Sequence, residues 1–202
     1  FSVRSWAYLL TGIFAASLAY DLMRMPVQVF DALEELLAAQ RSPSAFDSFV
    51  GALHNTAYLR ALRIAQIKAL FDAADGRYQL VYRGFHVVLL FALLLLFVSA
   101  LRVEGREELA VGPFALTVLT GLHTFLGFVK EAFPINHFLE IAVFCLAALN
   151  LTRARAGWWV DAAACLLLAC ALLTLESGIL VWVVLASAWL AGLRGVSGRG
   201  VA

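Results

Sequence analysis

The run VVLLFALLLLFVSAL at Val87–Leu101 restricts this chain more than any other feature. It holds no charge, and it lies between Arg83 and Arg102. Continuous apolar blocks of this kind read as helices that cross a bilayer, whereas a β-barrel would alternate apolar and polar residues in short segments. Four more such regions occur, at Ser5–Tyr20, Leu109–Val129, Phe133–Leu151 and Trp158–Leu193. The whole chain is 63% hydrophobic and 14% charged. Soluble domains run near roughly 45–50% and about 25%, so the sequence reads as an integral membrane protein.

The first region has only Arg4 ahead of it and no small-x-small cleavage site behind it, so it reads as a span rather than a removable signal peptide. The last region is interrupted only by TLESG at Thr174–Gly178. About 20 residues cross a bilayer, so this region suits two short spans with Glu176 at the bend. The expected fold is therefore all-α, a polytopic helical membrane protein with about six transmembrane helices. It forms one module over residues 1–202: an outer loop at 21–82, a helical bundle at 83–195 and a flexible tail at 196–202. The chain opens at Phe1 rather than Met and closes on GLRGVSGRGVA, which reads as a processed chain or the front portion of a longer one.

Within the outer loop, VFDALEELLAA places Val29, Phe30, Leu33, Leu36 and Leu37 on one helical face, with Asp31, Glu34 and Glu35 opposite. SAFD at Ser44–Asp47 is a helix start after Pro43, and a third helical stretch over Tyr58–Gly76 stops at Gly76. These are expected to be amphipathic surface helices lying along the membrane. Short loops set orientation through their cations. With the N-terminus cytoplasmic, Arg102 and Arg106, Arg153 and Arg155, and Arg194 and Arg199 fall inside, and Lys130 alone falls outside. Thirteen arginines against two lysines, with abundant alanine, hint at a GC-rich bacterial genome and a bacterial cytoplasmic membrane.

Net charge is +1, which gives no electrostatic case for nucleic acid. Cys145, Cys165 and Cys170 sit in apolar runs as small hydrophobes. No P-loop, HExxH, GxSxG or dinucleotide fingerprint occurs. The Asn150-Leu151-Thr152 sequon falls on the cytoplasmic side. Asp161, after Trp158 and Trp159 at an interface, reads as support for a helix N-terminus.

The informative polar residues converge on the outer side. TFLGFVKEAFPINHFLEI carries Lys130, Glu131, His137 and Glu140 between two apolar runs. Glu131 is either half of an interfacial pair with Lys130 or a carboxylate at a pocket mouth. His137 and Glu140 share a helix face, and Glu140 lies deep enough to need a partner, a wetted cavity or a function. Asp21 is either an interfacial cap or a general base. Arg83 and His86 are either interfacial anchors or lipid-phosphate contacts, and Arg60 and Arg63 divide the same way.

This layout resembles the N-terminal module of the GT-C superfamily of membrane glycosyltransferases, including protein O-mannosyltransferase-like proteins. The segment YLRALRIAQIKALFDAADGRYQLVYRGFHVVLLFALL is similar to the family's Y-R-P-L stretch leading to a helix that opens with His. GLHTFLGFVKEAF resembles its H-P-x-x-T-E helix end, and LLTLESGILVWVVL its S-K-E-x-G break. Ala61, Thr124 and Leu175 stand where the family has Pro, Pro and Lys. The resemblance implies transfer of a sugar from a polyprenyl-phosphate carrier at the outer face. Asp21 and Glu131 would be catalytic, the first as base and the second positioning the acceptor or a divalent cation. Arg60, Lys130 and His86 would steady the donor phosphate. Glu176 would match the Glu of the break, and Arg63, His137 and Glu140, singled out by their own spacing and depth, complete the expected substrate-binding set. The rival reading is a non-catalytic membrane subunit that binds lipid or packs within a larger complex.

Overall fold

The computed structural model describes residues 2–26, 33–54, 58–103, 105, 111–112, 115 and 134–201. All regular structure among the described residues is helical. The expected span at Leu109–Val129 and the residues Lys130 and Glu131 lie outside this set, apart from three isolated positions.

Helix α1 (Val3–Arg24) starts at Ser2, whose side chain accepts from the Ser5 amide. It buries one stripe of mostly small residues: Ala7, Thr11, Ala15, Ala19 and Leu22. Small side chains let two helix backbones approach closely, and α1 packs along α5 (Tyr78–Leu101). Leu89, Leu90, Leu93, Leu94 and Val98 of α5 fill that contact. Helix α6 (His137–Leu151) packs on α5, and then against α7 (Trp158–Thr174) and α8 (Ile179–Leu190). A second core forms there from Ile141, Ala148, Val160, Ala164, Ala171, Val181 and Leu185.

The break between α7 and α8 falls where the sequence placed it, as a single 3-10 turn at Glu176–Gly178. Glycine is needed there because a Cβ on residue 178 would overlap the Ala171 carbonyl.

Three short helices, α2 (Leu33–Arg41), α3 (Ala45–Leu53) and α4 (Ala61–Ala74), cover one end of the bundle. Ser44 caps α3 by accepting from the Asp47 amide, the start expected from SAFD. Helix α4 ends through Asp75 and Gly76, both with positive φ (43° and 82°). It packs on α2, α3, α5 and α7, with Ala39, Ile67, Tyr82 and Ile135 as a small core.

Two boundaries differ from the sequence reading. Helix α5 begins at Tyr78, so His86 lies inside the helix rather than at its opening, and the loop is shorter than 21–82. Tyr82 explains the extension: its hydroxyl donates to the Ile67 carbonyl at 3.0 Å and its ring joins the cap core. The flexible tail expected at 196–202 is also corrected over 196–201, which folds back as α9 (Gly198–Val201). Asp161 accepts from the Ser197 amide at 2.8 Å and the Ser197 hydroxyl at 2.7 Å, and Trp182 Nε1 donates to Val201 at 2.9 Å.

Among the described residues, two helices, α1 with 22 residues and α5 with 24, are long and apolar enough to cross a membrane. Helices α6, α7 and α8 are apolar but shorter. Much of their outer surface is bare hydrocarbon or indole, including Trp6, Ile13, Trp158, Leu166, Trp182 and Leu190.

Candidate functional site

Helix α4 carries Arg60 at its N-cap, then Arg63 and Gln66, a row spaced three residues apart and so on one side of the helix. Each grips a carboxylate from a different element. Arg60 donates through Nε and Nη2 to both Glu176 oxygens, each at 2.9 Å. Arg63 pairs with Glu35 of α2 at 2.6 Å. Gln66 donates to Glu140 of α6 at 2.5 Å.

His137 completes this row from the side. Its Nδ1 lies 3.4 Å from the second Glu140 oxygen, as the three-residue spacing implied. Both side chains are buried, and His137 Nε2 and Gln66 Oε1 have no hydrogen-bond partner among the described residues.

Glu176 is about half exposed (51%), yet its carboxyl is held below the ordinary range, first because Arg60 hydrogen-bonds the ionised form. The Arg60 guanidinium also stands over the Tyr58 ring, 4.7 Å from its centroid. Its Nη1 makes no hydrogen bond among the described residues, so one edge remains for a further acceptor.

A second buried group sits beside this row. Arg83 and His86 are fully buried, neither an exposed anchor nor a surface phosphate contact. Arg83 donates to the Met25 carbonyl at 3.2 Å, to the Pro26 carbonyl at 3.0 Å and to His86 Nδ1 at 3.1 Å. The guanidinium therefore ties the exit of α1 to α5. His86 Nε2 lies 3.3 Å from the Asn136 amide, and Asn136 caps α6 by accepting from the Leu139 amide at 2.9 Å.

No known protein family, curated protein or solved structure matches the chain. What the site can do follows from its own geometry.

Of the residues singled out from sequence, Arg60 and Glu176 come together, as do His137 and Glu140. Arg63 reaches the same row through Glu35. Asp21 lies exposed near the end of α1, at the capped end of the bundle but without a hydrogen bond to the row among the described residues. Glu131 and Lys130 lie outside the described residues. Among the described residues no three His, Cys, Asp or Glu side chains gather in a group that could hold a cation.

Sequence reasoning missed Glu35, Gln66, Asn136 and the burial of Arg83. The spacing of Arg60, Arg63 and Gln66 was a usable signal for the row. Glu35 was not, because helical periodicity assigned it to solvent.

Proposed function

We propose that this chain is the membrane module of a GT-C-type glycosyltransferase, taking a sugar from a polyprenyl-phosphate carrier at the outer face of a bacterial cytoplasmic membrane. In this reading it is integral, with about six spans and its N-terminus cytoplasmic. The exposed apolar side chains of α1, α7 and α8 support burial in lipid, since monomeric soluble proteins rarely expose contiguous apolar surface on that scale.

One observation carries the enzymatic part. Arg60 and Glu176 come from the two segments that resemble the family's Y-R-P-L and S-K-E-x-G motifs, and they meet in a bidentate pair across 116 positions of sequence. Chance local likeness gives no reason for the two to touch.

The chemistry then assigns roles. An acceptor hydroxyl attacks the anomeric carbon, and the bond from that carbon to the phosphate oxygen breaks. The hydroxyl proton passes to a carboxylate, the part given to Asp21. The departing lipid phosphate keeps the bonding electrons and needs cations. Arg60 offers Nη1 to it while Glu176 holds the rest of the guanidinium still.

The test uses the full chain in nanodiscs, titrated with undecaprenyl phosphate and with undecaprenol. The phosphate should bind in preference to the alcohol, and Arg60→Gln should weaken it roughly tenfold, the scale of one charge-assisted hydrogen bond. Asp21→Asn should keep that binding while stopping sugar transfer. Equal binding of the alcohol would sink the donor assignment.

A second reading has its own support. Arg60 and Arg63 are each already matched by a carboxylate, Glu176 and Glu35, as in a clamp that holds a non-catalytic subunit together. Unchanged phosphate binding in Arg60→Gln, with a lowered melting temperature, favours that role.

A further inference from the structure

Helix α3 is built the wrong way round for a helix that meets water. It packs on α4, and the side chains it buries are Ser48 and Ala52. Phe46, Phe49, Val50 and Leu53 follow the spacing i, i+3, i+4 and i+7, so they form one apolar stripe on another face. Phe46 is 73% exposed and Leu53 is 44% exposed, with Phe49 and Val50 half-buried between them. Asp47 and Gly51, both exposed, lie beside the stripe.

The neighbouring helices behave differently. Helices α2 and α4 turn Leu36, Ala39, Ile67 and Leu70 into the small core beneath the cap. Among the described residues, no α3 side chain joins any of the three apolar cores. A single exposed leucine is ordinary. A stripe that exposes Phe and Leu while Ser and Ala point inward is not, because water favours the opposite arrangement. Exposed apolar surface of this kind marks a contact with a membrane or with another protein.

The position of the stripe decides between the two. Beyond α3 the chain reaches Tyr58 and Leu59, each at least half exposed, and then Arg60. Arg60 is the residue given the carrier's phosphate above, and a lipid phosphate stays near the surface of the bilayer. Hydrocarbon therefore comes close to Arg60, and the exposed Phe46, Leu53, Tyr58 and Leu59 are suited to meet it. Phe and Leu on one face of a helix, followed by a Tyr stacked with an Arg, suit the boundary between headgroups and acyl chains. We propose that α3 lies in that boundary with its Phe46–Leu53 stripe in lipid, and that it sets the Arg60–Glu176 pair at the depth of lipid phosphates. The choice of lipid over protein rests on the carrier-phosphate reading of Arg60.

The experiment uses the full chain in nanodiscs, in a background lacking Cys145, Cys165 and Cys170. A nitroxide is attached at Phe46→Cys, Asp47→Cys or Leu53→Cys, with Ile13→Cys on the exposed side of α1 as the lipid reference. Relaxation by oxygen, which concentrates in hydrocarbon, is compared with relaxation by a water-soluble nickel chelate. Oxygen should win at 46 and 53, as at 13, and the chelate should win at 47. A win for the chelate at 46 and 53 overturns the proposal. So does exclusion of both agents there, which marks a face covered by a second copy or another protein. If the cysteine-free chain does not fold, benzoylphenylalanine replaces Phe46 in the otherwise native chain and is irradiated. A lipid adduct is expected, and a protein adduct or none overturns the proposal. Titration with undecaprenyl phosphate is read separately. A lipid-facing stripe without phosphate binding sinks the donor reading alone, and phosphate binding with a water-facing stripe sinks this one alone.

Discussion

Glu176 remains ionised at lower pH than an ordinary glutamate because Arg60 holds both its oxygens. A carboxyl depressed in the folded state adds stability above its unfolded pKa, and that contribution is lost as pH falls through the folded value. The melting temperature of the native chain should therefore exceed that of Glu176→Gln at pH 7. The gap should close as pH drops below about 4. For an exposed pair the neutral-pH difference is small, about 1 kcal/mol or less. Glu140 is different because it is buried. Glu140→Ala strands Gln66 Nε2 and His137 Nδ1, and each orphaned group costs about 1–3 kcal/mol. Denaturation in detergent should show that loss, with Glu140→Gln recovering part of it. The His137–Glu140 contact was legible from three-residue spacing. The burial of Arg83 was not, since two of its partners are the Met25 and Pro26 carbonyls, more than fifty positions away.

Helix α1 has little hydrophobic contrast between its faces, and side-chain size tells them apart instead. Ala7, Thr11, Ala15 and Ala19 face α5, while Leu9, Leu10 and Ile13 point away. Ala15→Leu should therefore cost about 1–3 kcal/mol by overpacking. Ile13→Leu, on the exposed side, should leave the melting temperature unchanged. At the α7–α8 turn, Gly178→Ala should cost a similar amount, because the new methyl meets the Ala171 carbonyl. The turn itself was readable from TLESG, a polar interruption in an apolar run. The start of α5 was less so. Tyr78–His86 is too polar to look like part of a span, and it becomes helical core only once Ile67 and Asn136 supply partners.

Across the whole molecule the two ends of the bundle carry different chemistry. One end holds the row of Arg60, Arg63 and Gln66 matched to carboxylates, and the other holds Arg4, Arg102 and Arg153 around a cavity. In a background lacking Cys145, Cys165 and Cys170, single cysteines at Asp47 and Arg155 should react with a membrane-impermeant maleimide from opposite sides. Labelling of both from one side would overturn the proposed six-span orientation. The sequence by itself determined the helical class, the apolar segments, the Glu176 break and the Ser44 cap. Each depends on hydrophobicity or hydrogen bonding within a few residues, which local order records. Only the tertiary structure decided that α4 lies as a strap over three carboxylates, that Arg83 and His86 are interior, and that the C-terminal segment docks on Asp161 through Ser197. Those contacts join residues far apart in the chain, and their partners are chosen by how the helices stack.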